Sequence, residues 1–264
     1  MDRHERAGAA FTRLCAIMAR LRAPGGCPWD KAQTLDSLKP YLIEEAYETL
    51  EALEEGVAAK HCEELGDLLL QIVFQAEICN ETGRFDAAAV AGGIATKLER
   101  RHPHVFGEVQ VQGAAGALLS WETVKATERA AGESRLHGVP KTMPALLRAY
   151  RTGEKAAAIG FDWPDSHAVA LKVEEEWKEL NEVVDSDAAD KQARSAEELG
   201  DLLFALSSYA RHLGVDPEAA LRAATDKFAG RFRYVETRLK ETGHVKGKVA
   251  PELLDALWNE AKKA

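Results

Sequence analysis

Glu64 and Asp67 stand three positions apart, and so do Glu198 and Asp201. On a helix that step puts both carboxylates on one face. Each pair lies within the same seven letters, EELGDLL, at Glu63–Leu69 and again at Glu197–Leu203. A second three-residue acidic step precedes each copy, from Glu45 to Glu48 and from Glu176 to Glu179. If the segments that carry these steps are neighbouring helices, four carboxylates converge in each copy. Four negative charges at close range repel one another strongly without a counter-charge. Hard oxygen donors with no histidine or thiolate among them suit magnesium or manganese rather than zinc. Acidic pairs on helices are ordinarily solvated surface. Here the step occurs four times, in two matched sets, which favours divalent-metal ligands.

Basic residues recur at equally regular places. Lys227 and Arg231 are four apart on an expected helix, as are Lys97 and Arg101. Such pairs serve ion pairing or anion binding; on the far side of a metal cluster they match what a polyphosphate needs. Lys172 precedes Glu176 by one turn, Arg194 precedes Glu198, and Lys60 precedes Glu64; Tyr41 stands where Lys172 would be matched in the first copy. Trp121 and Trp258 either stack on a base or close a helix end. The steps Glu99–His102 and Glu241–His244 resemble the E-x-x-H of di-iron bundles. Pro103 follows His102 and Gly243 precedes His244, so these histidines are expected at helix ends, in structural or surface roles.

The elements that position these groups are duplicated. GCPWD (Gly26–Asp30) is echoed by GFDWP (Gly160–Pro164), LIEEAYETL by VEEEWKEL, KLERRHPHVF by KFAGRFRYVE, and WETVK by WNEAK. The offsets run only from 130 to 137 residues, so two tandem copies of one domain are expected. The expected boundaries are 1–128 for the first copy, 129–144 for a linker and 145–264 for the second. In Ile43–Leu53 the residues Ile43, Ala46, Tyr47, Leu50 and Leu53 follow helical spacing, with the acidic pair lying off that stripe. After Asp67 the run Leu68, Leu69, Leu70, Ile72, Val73, Phe74 is apolar on nearly every side, which predicts a buried helix. Asp216 followed by Pro217 reads as a cap and a first-turn proline. Each copy is expected to supply roughly four helices, giving an all-α fold of tandem four-helix units.

Composition narrows the classes. Apolar residues make up 46% of the chain, enough for a core, and β-branched alternation is missing. A net charge of −9 argues against binding nucleic acid or anionic membrane through bulk electrostatics. The N-terminal MDRHERAGAA lacks the apolar run of a signal peptide, and no stretch is long enough to cross a bilayer. Cys15, Cys27, Cys62 and Cys79 show no C-x-x-C spacing and are expected as reduced cytoplasmic thiols. No G-x-x-x-x-G-K-[ST] loop occurs.

The ordered set E-E-x-x-E, E-L-G-D and K-x-x-x-R, present twice, resembles the MazG family of nucleoside triphosphate pyrophosphohydrolases. GCPWDKAQT and KLERRHPHVF look like that family's first domain; GFDW, EELGDLLFAL and KFAGRF look like its second. The resemblance covers nearly the whole chain, leaving out Asp2–Ala10 and the seam. It implies an all-α pyrophosphohydrolase, a homodimer or larger assembly, that converts a nucleoside triphosphate and water to the monophosphate and pyrophosphate with magnesium. Carried over, Glu176, Glu179, Glu198 and Asp201 would ligate magnesium, as would Glu45, Glu48, Glu64 and Asp67 in the first copy. Substrate would be held by Lys172, Val173, Glu174, Glu175 and Glu176, by Arg194, Ser195, Ala196 and Glu197, and by Lys227, Phe228, Ala229, Gly230 and Arg231, with Trp258. Lys97 and Arg101 are the first-copy counterparts.

In such a site Glu176 or Glu179 would orient or deprotonate the attacking water, while Lys227, Arg231 and Arg194 would neutralise the departing pyrophosphate. The second copy, with its fuller basic set and with the small residues Ala205 and Ser208 on its acidic face, is the expected catalytic unit. Gln71 and Gln75, on that face in the first copy, could bond with the acids. Two rival readings are a metal-stabilised scaffold without activity and a relative of the same fold dedicated to dUTP or phosphoribosyl-ATP.

Overall fold

The computed structural model describes residues 1–128, 134–243 and 249–263, with helices and no strand among them. Their contacts fall into two units, Met1–Arg129 and Ala130–Ala264. The first holds α1 (Arg3–Arg22), α2 (Pro28–Ala32), α3 (Lys39–Glu55), α4 (Ala58–Glu81), α5 (Ala87–Arg101), α6 (Pro103–Phe106) and α7 (Gly113–Thr127). The second holds α8 (Ala145–Ala157), α9 (Ser166–Val184), α10 (Lys191–His212), α11 (Pro217–Glu241) and α12 (Pro251–Ala261). The expected four helices per copy therefore become seven and five among the described residues. The extra ones are short turns or flanking helices that a hydrophobic period does not separate. No helix of the described residues is long and apolar enough to cross a membrane.

Local chemistry sets the helix ends. Asp86 accepts a hydrogen bond from the Ala89 N–H at the start of α5, and Asp165 does the same for Ala168 at α9. Asp216 accepts from Glu218 and Ala219 while Pro217 occupies the first turn of α11, the cap and proline read from the sequence. Gly56, at φ +71, ends α3 in the left-handed region and starts the chain back along α4 within three residues. The α3–α4 and α9–α10 pairs are each the most extensive helix contact of their unit. Those pairs carry the carboxylates.

The first unit's core joins Met18, Leu38, Val73, Phe74 and Ile78, flanked by Phe11, Leu14 and Leu70. Beside it lies Arg22, with its side chain only 5% exposed. Its guanidinium donates to Glu81 at 2.6 and 2.8 Å and to the carbonyls of Asp30 and Gln33 at 2.5 and 3.2 Å, and it lies 5.5 Å from the Phe74 ring centre. A buried guanidinium is tolerable only with such partners. In the second unit Ser207 is buried and donates to the Leu146 carbonyl at 3.0 Å, tying α10 to α8.

One expectation of burial is corrected. In α4 only the later part is enclosed: Val73, Phe74, Ala76, Ile78 and Cys79 are buried, whereas Leu65, Leu69 and Ile72 are exposed. The stripe Ile43, Tyr47, Leu50 and Leu53 of α3 is likewise exposed, and the buried residue of that helix is Ala52. The later turns of α4 meet α1 and the core, whereas α3 packs chiefly on α4, so the remaining faces stay uncovered however apolar they are.

Candidate functional site

In the first unit α3 presents Glu45 and Glu48, and α4 presents Glu64; one carboxylate oxygen from each lies within 4.8 Å of the others. In the second unit the corresponding triple is Glu176 from α9 with Glu198 and Asp201 from α10. Ions of the magnesium or calcium type bond oxygen at about 2.0–2.6 Å, so oxygens separated by up to about twice that can share one ion. The donor sets fit a hard divalent cation. Both clusters could hold a metal ion.

The triples are related but not identical. Glu45 matches Glu176 and Glu64 matches Glu198, while the third member is Glu48 in one unit and Asp201 in the other. Asp67 and Glu179 lie outside the triples yet remain electrostatically close. Burial pushes the Glu45 carboxyl above its ordinary range, and the charges of Asp67 and Glu48 push it further. Glu64 is raised by desolvation and then by Glu48 and Asp67. Glu179 is raised by burial and by the Glu176 charge, against a smaller opposing pull from Lys172.

A cation of the protein's own sits in the second set. Lys172 Nζ lies 2.7 Å from Glu176 Oε1 and 2.8 Å from Glu175 Oε1, and these bonds raise the lysine's pKa, Glu175 having the larger effect. Glu176 is buried. Tyr41, at the matching place in the first unit, instead meets the Trp29 ring edge-on at 6.0 Å. Lys60 pairs with Glu55 at 2.9 Å.

Lys172, Val173, Glu174 and Glu175 make the turn of α9 that precedes Glu176, and Arg194, Ser195, Ala196 and Glu197 the turn of α10 that precedes Glu198. Arg194 is exposed and makes no ion pair among the described residues. Lys227, Phe228, Ala229, Gly230 and Arg231 lie inside α11, which packs on α12. Phe228 contacts Trp258 at 5.0 Å and stacks with Phe232 at 6.2 Å, giving a run of rings beside Lys227 and Arg231. Neither of those cations has an ion-pair partner among the described residues.

The first unit arranges the same residue types differently. The Arg101 guanidinium lies 5.2 Å from the Trp121 ring centre and bonds Glu128 at 2.5 and 3.1 Å; Arg100 meets Glu128 at 2.7 Å. Lys97 is exposed without a partner among the described residues. His102 caps α5, bonds the Leu98 carbonyl through Nδ1 at 2.7 Å and packs edge-on against Trp121, a helix-end role. His244 lies outside the described residues.

Two sequence expectations about the acidic faces change. Ala205 and Ser208 are buried, so they form packing surface rather than a way in for a ligand. Gln71 is buried and makes no hydrogen bond to the acids among the described residues, and its Oε1 is also unpaired. Sequence reading missed the Asp162 network: Arg211 donates two hydrogen bonds to Asp162, one at 2.9 Å, and His212 Nε2 lies 3.0 Å from it. Arg211 chiefly, with His212, holds the Asp162 carboxyl down to about 2. Its partners lie 49 and 50 residues away, and Glu81 lies 59 from Arg22, so no local pattern signals either pair.

The MazG nucleotide pyrophosphohydrolase domain matches twice, at residues 33–106 and 165–235. The chain belongs to the MazG nucleotide pyrophosphohydrolase family. It is 45% identical, over 97% of each chain, to the nucleoside triphosphate pyrophosphohydrolase/pyrophosphatase MazG of Thermotoga maritima. It is 43% identical to a nucleoside triphosphate pyrophosphohydrolase of Escherichia coli K12, covering 95% of this chain and 96% of that one. It is also 46% identical to the uncharacterized protein YabN of Bacillus subtilis, covering 96% of this chain and 52% of that protein. The two MazG matches enclose α3–α6, and α9 and α10 with most of α11, hence both carboxylate sets; α12 with Trp258 lies beyond them.

Proposed function

We propose that the chain is a nucleoside triphosphate pyrophosphohydrolase, broad in base, that cleaves between the α and β phosphates to give a monophosphate and pyrophosphate. The observation that carries this reading is the pair of carboxylate triples built by MazG-type helix pairs. Magnesium, or manganese in its place, would be held by Glu176, Glu198 and Asp201 in the second unit and by Glu45, Glu48 and Glu64 in the first. Such a cation neutralises phosphate oxygens and acidifies a coordinated water.

The chain's own groups do the rest. Glu179 stands beside the second triple with a raised pKa, which suits a carboxylate that accepts the proton of the attacking water. Glu176 is already engaged by Lys172, so its task is ligation more than proton transfer. Lys227 and Arg231 have charge to spare for phosphate oxygens, and Phe228 with Trp258 offers an apolar surface to a base, ATP's included. In the first unit Glu128 engages Arg101, which supports the second unit as the main catalytic one.

The exposed apolar stripes of α3 and α4 support a homodimer or larger homo-oligomer. Four cysteines free of disulfides suit a cytoplasmic enzyme. The test is pyrophosphate release from a panel of nucleoside triphosphates with magnesium, comparing wild type with Glu198→Gln and Asp201→Asn. A loss of at least a hundredfold in both variants is expected; undiminished release refutes the assignment, and turnover of a single nucleotide refutes breadth.

A further inference from the structure

A lysine among metal ligands is an oddity that needs a reason. Lys172 stands one turn before Glu176, the order in which a lysine–glutamate pair contributes least to an isolated helix. Its ammonium nonetheless meets two acids, at 2.7 and 2.8 Å, and one of them is the buried member of the second triple. A carboxylate taken out of water needs a counter-charge. The first unit lacks this device: Tyr41 turns to Trp29, and Lys60, one turn before Glu64, is bonded to Glu55 instead. Lys172 is 33% exposed, so its long stem can carry the ammonium out into water once another cation takes its place.

We propose that Lys172 is a resident substitute for the divalent cation, holding Glu176 in position until the ion arrives and displacing the lysine from that carboxylate. This rests on the metal reading of the second unit given above. Two consequences follow. The ion must displace an ammonium bonded to a ligand in the second set, whereas in the first the nearby Lys60 ammonium is bonded to Glu55, so the first set binds it more tightly. The released ammonium becomes available to phosphate oxygens only after the metal is in place, which orders loading as metal before nucleotide.

The experiment uses the full chain with the first set silenced by Glu45→Gln and Glu64→Gln. Manganese binding is followed by electron paramagnetic resonance with and without Lys172→Met. Removing a unit charge beside a divalent ion is expected to tighten binding roughly tenfold in a water-like medium. In the chain with Lys172 intact, magnesium should also raise the rate at which acetic anhydride labels that lysine, severalfold. Equal or lower manganese affinity in Lys172→Met overturns the proposal, as does labelling unaffected by magnesium. Absence of manganese binding both with and without Lys172→Met overturns the metal reading of this unit itself, and the proposal with it.

Discussion

Glu45→Gln is expected to stabilise the protein in chelator and to leave it the less stable form in magnesium. Glu45 is half-buried and makes no hydrogen bond among the described residues, so the amide forfeits no partner. It removes repulsion from Glu48 and Glu64, whose oxygens approach within 4.8 Å. At that distance each unit-charge pair costs about 0.9 kcal/mol at water's permittivity and more where water is thinned. Relief of about 1–2 kcal/mol follows, an upward shift of roughly 2–4 °C in midpoint per kcal/mol for a chain of this size. Because the folded state raises the Glu45 pKa, its charged form is a burden at neutral pH that fades as pH falls into the folded titration range. The gap between wild type and variant in chelator should therefore close on acidification. With magnesium at a hundred times its dissociation constant, ligation contributes about 2.7 kcal/mol. The variant loses most of this, so the order of midpoints reverses. Thermal unfolding with EDTA and then with magnesium reads both effects. A variant destabilised in EDTA, or a magnesium shift equal in the two proteins, refutes the reasoning.

Two further outcomes test the framework around the sites. Glu81→Gln strands the guanidinium of Arg22 without its counter-charge and should cost about 2–3 kcal/mol, discounted because Glu81 is itself 39% exposed; Arg22→Met and the double variant should cost less, read by urea unfolding. Asp162→Asn should cost up to about 2 kcal/mol at pH 7, and the cost should vanish as pH falls from the ordinary aspartate range toward about 2, since a depressed pKa stabilises only while the carboxyl is charged.

Much of this design is legible in the sequence because it is local. The three-residue acidic steps, the Asp216–Pro217 helix start and the EELGDLL copies depend only on helix geometry. What escapes is whatever depends on rotation and distance. Spacing places Glu48 and Glu179 at equivalent positions, yet Glu48 joins its triple and Glu179 does not, a matter of how each helix rolls against its neighbour. Periodicity finds the stripe Ile43, Tyr47, Leu50, Leu53 but cannot say which side faces the core, and it faces outward. Ala205 and Ser208 share the acidic face of α10 by spacing, but α8 packs over that helix and they are buried. The partners of Arg22 and Asp162 come from distant turns of chain, and only the folded backbone selects them.

In an enzyme assembled from identical chains, every codon change is felt at all sites simultaneously. Tyr41 and Lys172 hold equivalent helical places within one polypeptide, so selection can retune either without touching its counterpart. Covalent doubling thus lets a symmetric ancestor become two instruments with separate settings.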